Sequence, residues 1–218
     1  MSNPLSDSWR WTNLPEFDGK NIYCMEEDKN GKYWFGTNQG VFSYDGISLE
    51  QFSEDQGLEG QKFTSILKAH NGIYALSTED LYYKNHNNKW EALDIPFNFT
   101  SFPEIELSSD SSIWISSDRG LGRYKDSSLT FYRDDGIYSD SVEISSLENR
   151  GIFAVQSVIE DDSGYLWFGV QNEGIYRAKF TKGELAPPET WENYMFSGAT
   201  GNRDWTLYQD SDGNIWAI

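Results

Sequence analysis

An all-β fold built from repeated four-stranded antiparallel sheets is predicted by three features of the sequence. One phrase recurs. Asp28, Gly31 and Trp34 in "EEDKNGKYWFGTNQGVFSYDG" return at the same spacing as Asp161, Gly164 and Trp167, and again as Asp210, Gly213 and Trp216. Glycines and short polar clusters punctuate the chain at close intervals, which favours many short strands over long helices. The 218 residues include 9 Trp, 13 Tyr and 13 Phe, and large rings fill a core with few residues.

Alignment on the recurring phrase gives four blocks and a partial fifth, at 22–53, 63–94, 105–133, 153–196 and 205–218. Each block has the same inner grammar. An apolar strand such as "FAVQSVIE" comes first. A turn follows, "DKNG", "DDSG" or "DSDG", whose residues tolerate or supply a left-handed backbone. An aromatic strand, "YWFGT" or "LWFGV", leads to a second polar turn, "NQG", "DRG" or "NEG". A third strand and a more polar fourth strand close the block. The anchors Trp34, Ala75, Trp114, Trp167 and Trp216 stand 41, 39, 53 and 49 residues apart. A period near 40 is the length of four short strands and their turns. The two longer steps call for insertions. The sequence offers "SDSVEISSLENRG" at 139–151 and "TKGELAPPET" at 181–190, whose adjacent prolines exclude regular ladder pairing.

Consecutive bulky side chains such as Tyr33, Trp34 and Phe35 point to both faces of a strand. Such a strand must be covered on both sides, and a radial array of sheets does this. The expected architecture is therefore a β-propeller. Gly36 and Gly169, after the bulky pairs, would let neighbouring backbones approach closely.

These residues carry a resemblance. The pattern Asp, Gly, Trp-Phe-Gly-Thr, Gly-Val/Leu/Ile, Tyr-Asp, preceded by "FDGKNI" (Phe17, Asp18, Gly19, Asn21, Ile22), is similar to the two-component regulator propeller repeat. The second block departs, with Ala75 for the tryptophan and Ala69 for the aspartate. The third has Ser108 and Ser111 where Asp and Gly are expected. The resemblance implies a ring of about seven blades in the sensor region of a hybrid two-component histidine kinase. It implies a periplasmic or extracellular place, recognition of an oligosaccharide or other small ligand, and a homodimer formed through the parent protein. The kinase half would lie elsewhere in that parent. An incomplete ring is expected here, four blades plus parts of others, because a propeller must close or leave sheet edges exposed. The competing expectation is a compact five-bladed ring.

Composition narrows the chemistry. With 17 basic and 35 acidic residues the formal charge is −18, which repels nucleic acid and anionic membranes alike. Cys24 is the only cysteine and sits in an apolar strand, as a small core residue would. The N-terminus lacks a signal-peptide pattern, and no stretch approaches a membrane span. No cofactor or metal is expected. An EF-hand register on Gly31 puts Thr37 at the position needing a bidentate carboxylate, so these phrases are hairpin turns. Asp162, Gly164 and Trp167 fit a sialidase-type Asp box in one block only. His70 and His86 lie at turn-like spots in the most divergent block. No arranged catalytic set is found, so the chain is read as non-catalytic. Two further readings are a free-standing lectin-like or protein-interaction propeller, and a propeller glycoside hydrolase or lyase.

What remains is a binding surface. Loops on a rigid scaffold carry recognition residues. In a propeller they are the turns between second and third strands and the links between blades. The candidates on that face are Asn21, Asn38, Gln39, Asp118, Arg119, Gln171, Asn172, Arg203 and Asp204. Arg119 is the cation that could clamp a carboxylate or sulfate.

Overall fold

The computed structural model describes residues 14–59, 62–70, 72–84, 89–100, 102–139, 141–194 and 205–218. The first sheet is β1 (Ile22–Glu27), β2 (Tyr33–Thr37), β3 (Gly40–Tyr44) and β4 (Leu49–Phe52), paired in chain order. The second is β5 (Phe63–Ala69), β6 (Gly72–Ser77), β7 (Leu81–Lys84) and β8 (Trp90–Ala92). The third is β9 (Glu104–Leu107), β10 (Ile113–Ser117), β11 (Gly120–Lys125) and β12 (Ser128–Arg133), with β13 (Gly136–Tyr138) added outside β12. The fourth is β14 (Val155–Glu160), β15 (Tyr165–Val170) and β16 (Gly174–Thr181). Long β16 pairs with both β17 (Glu184–Leu185) and β18 (Glu192–Tyr194). Strands β19 (Leu207–Gln209) and β20 (Ile215–Ala217) form a two-stranded fifth.

The sheets are antiparallel throughout and stack through their first strands. β1 lies beside β5, β5 beside β9, β9 beside β14 and β14 beside β19. The apolar core is divided accordingly. Trp34, Phe52, Ala75 and Tyr82 fill the gap between the first and second sheets. Leu76, Leu81, Ile113, Ile115 and Phe131 fill the second gap. Trp114, Leu166, Phe168 and Phe180 fill the third, and Ile175, Trp205 and Leu207 the fourth. This is the radial packing of a β-propeller, with the indoles of Trp34, Trp114 and Trp167 each turned toward the following sheet.

The recurring phrase now has a physical cause. Asp161 Oδ1 accepts the backbone N–H groups of Ser163 (2.8 Å) and Tyr165 (2.9 Å), holding the β14–β15 turn. Its Oδ2 accepts the indole N–H of Trp167 at 2.7 Å. Asp28 does the same for Asn30, Lys32 and Trp34, and Asp210 for Asp212, Asn214 and Trp216. One carboxylate thus satisfies a turn and orients the ring that plugs the next interface. Gly31, Gly164 and Gly213 supply the left-handed residue of each turn, with φ of 77°, 77° and 82°.

The second and third sheets depart in instructive ways. In the second, Tyr74 rather than Ala75 takes the tryptophan position. Leu67 pairs with Tyr74 as Glu26 pairs with Trp34. The hairpin Ala69–Gly72 is one residue shorter than Asp28–Lys32, which moves the aromatic one place back. In the third, Ser108 stands where the aspartate would and gives its hydroxyl to Glu160 Oε2 (2.6 Å). The buried indole N–H of Trp114 is left without a partner among the described residues. Ser111 adopts the left-handed φ of 65° that glycine takes elsewhere.

Charge replaces the missing hydrogen bond. The Arg123 guanidinium lies 5.5 Å from the Trp114 ring centre and 5.1 Å from that of Phe180. It donates to Asp110 Oδ2 (2.5 Å), Ser112 Oγ (3.0 Å) and the Gly183 carbonyl (2.6 Å) of the β16–β17 hairpin. Lys125 also donates to Asp110 Oδ2, at 2.6 Å. Partial burial pushes the Asp110 carboxyl up, but hydrogen bonds from Lys125 and Ser112 and the Arg123 charge outweigh it. They hold it well below the usual carboxylate range. The stability it contributes is full above its unfolded pKa, near 3.8, and is lost as pH falls below that toward the folded value. Asp110→Asn is expected to cost about 2 kcal/mol at neutral pH and to flatten the acid limb of the stability profile. Thermal unfolding of both proteins between neutral and strongly acidic pH checks this.

Both insertions are built. Residues 180–185 make the β16–β17 hairpin that reaches the third sheet, and Pro187 and Pro188 stand beyond its ladder. After β13, helix α1 (Ser141–Ser146) and a 3-10 turn (Leu147–Asn149) bury Ile144 and Leu147 against the second gap.

Candidate ligand face

The turns β2–β3, β6–β7, β10–β11 and β15–β16 lie at the same end of their antiparallel sheets as the entries to β1, β5, β9 and β14. Three of these turns share a brace. The hydroxyls of Thr37, Ser77 and Ser117 donate to the carbonyls of Gly40 (2.9 Å), Asp80 (3.1 Å) and Gly120 (2.9 Å). The same oxygens accept the N–H of Gln39, Glu79 and Arg119. These turns form a rigid rim.

The predicted residues divide on it. Asn21 and Gln39 are exposed, and Asn38 and Gln171 are half-buried. Asn38 Oδ1 accepts the Asn21 N–H at 2.9 Å, which fixes the start of β1. Asn38 and Gln39 line a depression of about 430 Å³ with Glu54 and Asp55 of the link to the second sheet. Asn172 is exposed and left-handed, with φ of 64°. Asp118 and Arg119 are structural instead. Asp118 is buried and accepts the hydroxyl and N–H of Thr100, stapling the link to the third sheet. Arg119 is buried too, and its Nη1 donates to the carbonyls of Leu147 (3.4 Å) and Glu148 (3.2 Å). Its Nε lies 3.6 Å from Asp118 Oδ2. The expected anion clamp is thus a cap on the helical insertion. Arg203, Asp204 and His86 lie outside the described residues.

The centre of the face holds a group that sequence reasoning missed. Tyr23, at the irregularity between Ile22 and Cys24 in β1, meets Phe102 edge-on at 5.4 Å. The Lys62 ammonium sits 3.6 Å from the Phe102 ring centre and 5.7 Å from that of Tyr23. Tyr23 belongs to the first sheet, Lys62 precedes the second and Phe102 precedes the third. Their meeting marks the axis, and Phe102 remains 55% exposed. The same irregularity recurs in β5 and β14, where the extra residue ties adjacent sheets. Thr64 Oγ1 donates to the Pro103 carbonyl (2.6 Å), and Gln156 Oε1 accepts the Trp205 N–H (2.8 Å). A bulge re-aims one side chain in this way.

Behind this face, burial raises the carboxyl pKa values of Glu26, Glu104 and Glu106 on the inner strands. The charges of Glu26 and Glu104 raise Glu106 further. Burial likewise pushes the Cys24 thiol up to about 12, so it stays protonated in the core. Among the described residues no three His, Cys, Asp or Glu side chains converge in a way that could hold a metal ion. No helix among them is long and apolar enough to cross a membrane.

The model of the family described as two component regulator propeller matches residues 16–39, from the first turn through β2. No curated protein matches the sequence. Virginiamycin B lyase from Staphylococcus aureus is similar in structure, with a TM-score of 0.60 at 16% identity over 90% of this chain and 69% of that one. A protein described as a gluconolactonase gives a TM-score of 0.53 at 17% identity over 91% of this chain and 74% of that one. The extracellular domain of BT4673 from B. thetaiotaomicron, described as a hybrid two component system, gives 0.48 at 17% identity. That match covers 92% of this chain, which spans 30% of the BT4673 domain. Identities this low speak to fold alone. The chain is thus a β-propeller of antiparallel sheets, two of four strands, two of five and one of two among the described residues, and it carries a two component regulator propeller repeat at residues 16–39.

Proposed function

We propose that this propeller is the sensing region of a two-component signalling protein, placed outside the cytoplasm, and that it binds an oligosaccharide or similar small ligand without altering it. The observation that carries the reading is Phe102. A large ring left open to solvent, braced by Tyr23 and Lys62 at the axis, is a platform on which a sugar ring can stack. Asn21, Asn38, Gln39, Gln171 and Asn172 stand on the surrounding rim as hydrogen-bonding groups for hydroxyls. Signalling would follow from a ligand that favours one arrangement of the propeller, or of a dimer formed through the parent protein, over another.

A glycan array followed by calorimetry tests this. Phe102→Ala is expected to weaken the best glycan about tenfold, the loss of one well-packed contact. An array without a hit, or an affinity that Phe102→Ala leaves unchanged, overturns it. Turnover of the bound glycan would replace sensing by catalysis.

A further inference from the structure

We infer that the cavity beside the β16–β17 hairpin, between the third and fourth sheets, is a binding site for a small zwitterion of the α-amino acid class. It lies at the end of the sheets opposite the face above. The β9–β10 turn, the β14–β15 turn and the tip of the hairpin build its walls. Its volume is about 490 Å³, enough for a free amino acid. Phe180 lends it one apolar surface against which a side chain can lie.

The charges of the lining indicate the ligand. Acidic residues outnumber basic ones 35 to 17 in the chain, yet here they balance, with Asp110 and Glu160 against Lys125 and Lys182. Asp110 and Lys125 are committed to each other at 2.6 Å. Glu160 accepts from the hydroxyls of Ser108 and Ser109 and from the Ser109 N–H, none of which is a cation. Lys182 forms no ion pair among the described residues. The cavity therefore presents one carboxylate without a counter-cation and one ammonium without a counter-anion. A ligand bearing both an ammonium and a carboxylate answers both. A plain anion would face Glu160, and a plain cation Lys182, as a like charge.

Lys182 is the unusual residue. Lys182 and Gly183 are the two residues of a tight hairpin between Thr181 and Glu184, and both are left-handed, with φ of 55° and 78°. Asn, Asp or Gly is favoured at the first of these positions. The other non-glycine residues with positive φ are Asp, Ser or Asn among the described residues, so only here does a long cationic side chain bear that strain. Strain of this kind persists where the surrounding structure fixes it, and it gathers at ligand clamps. The frame is fixed here. Arg123 donates to the Gly183 carbonyl at 2.6 Å, and the Phe180 N–H to the Gly164 carbonyl at 2.9 Å. Among the described residues no other third strand pairs with two later strands, so this wall is an addition to the repeat.

Titration calorimetry on the full 218-residue chain, with glycine, leucine and phenylalanine, tests the inference. Each is compared with its N-acetyl derivative, which lacks the ammonium, and with its amide, which lacks the carboxylate. At least one amino acid is expected to bind at millimolar concentration or tighter, and about tenfold more tightly than either derivative, from the strength of a charge-assisted contact. Lys182→Asn is expected to weaken that amino acid about tenfold and to bring it level with its amide. The same variant should raise the thermal midpoint by about 2 °C as the turn relaxes. Weaker binding in a more stable protein separates a lost ligand contact from a lost fold. Glu160→Gln should bring the amino acid level with its N-acetyl derivative, and if that variant fails to fold, Lys182→Asn still decides. No binding of any of the three amino acids, equal binding of an amino acid and its derivatives by the parent protein, or a preference that Lys182→Asn leaves intact would each overturn the assignment.

Discussion

Gly36→Ala is expected to destabilise the propeller by about 3 kcal/mol, the upper range for forcing volume into a packed core. The backbone of Gly36 is not left-handed, so alanine carries no conformational penalty there, and the whole effect is steric. An added Cβ would stand 2.5 Å from Cys24 Sγ and 2.6 Å from the Phe63 carbonyl oxygen. The second of these belongs to the backbone of β5, in the next sheet, and cannot turn aside as a side chain can. Relief requires the first two sheets to separate, which strips contacts from Trp34, Phe52 and Tyr82 together. Denaturant unfolding should show the loss as a lower midpoint, and a thermal scan as a fall of roughly 6–12 °C for a chain of this size. Gly151→Ala is the control. Nothing lies within 4 Å of its added carbon, and its stability should stay within about 0.5 kcal/mol of the parent.

Asp161→Ala is expected to cost a similar amount, about 3 kcal/mol, by a different route. Three donors lose their acceptor at once: the N–H groups of Ser163 and Tyr165, and the indole of Trp167. The turn can turn to water for its N–H groups. The indole is half-buried against Tyr194 at 5.6 Å and packs on the fourth gap, so its N–H pays more heavily for the loss. Asp161→Asn keeps an oxygen for the turn and loses the second carboxylate oxygen that the indole needs. It should fall between the parent and Asp161→Ala. Near-ultraviolet circular dichroism, compared with backbone amide exchange in β14 and β15, would separate the freed indole from the loosened turn. Equal stability of all three proteins would mean that the carboxylate does not hold the ring.

Much of the architecture was legible because its causes are local. Asp, Gly and Trp at fixed spacing make one hydrogen-bonded unit, so the phrase marks a turn, a second strand and an interface together. The reading slipped where a turn changed length. A two-residue hairpin between Ala69 and Gly72 moved the plug from Ala75 to Tyr74, and spacing counted through the longer turn missed it. The hairpin of residues 180–185 depends on a contact with a distant residue, Arg123, that no local pattern announces.

The site was less legible. Turn residues could be placed on the correct end of the sheets because antiparallel order alone determines it. Their availability could not. Asp118 and Arg119 are consumed by Thr100 and by the end of a helical insertion, neither of which the repeat contains. Tyr23 comes from the first sheet and Lys62 and Phe102 from the links that enter the second and third, and in a chain so rich in rings nothing local distinguishes an exposed one.

The ties made by Thr64 and Gln156 run only from one sheet to the next, as do the indole plugs. Energy is therefore shared between adjacent neighbours rather than pooled in a single centre. Local opening of one sheet weakens the two beside it and is barely felt beyond them. The middle of the arc should accordingly give up its amide protons last, and a perturbation at the axis should reach the flanks as a series of small, graded steps.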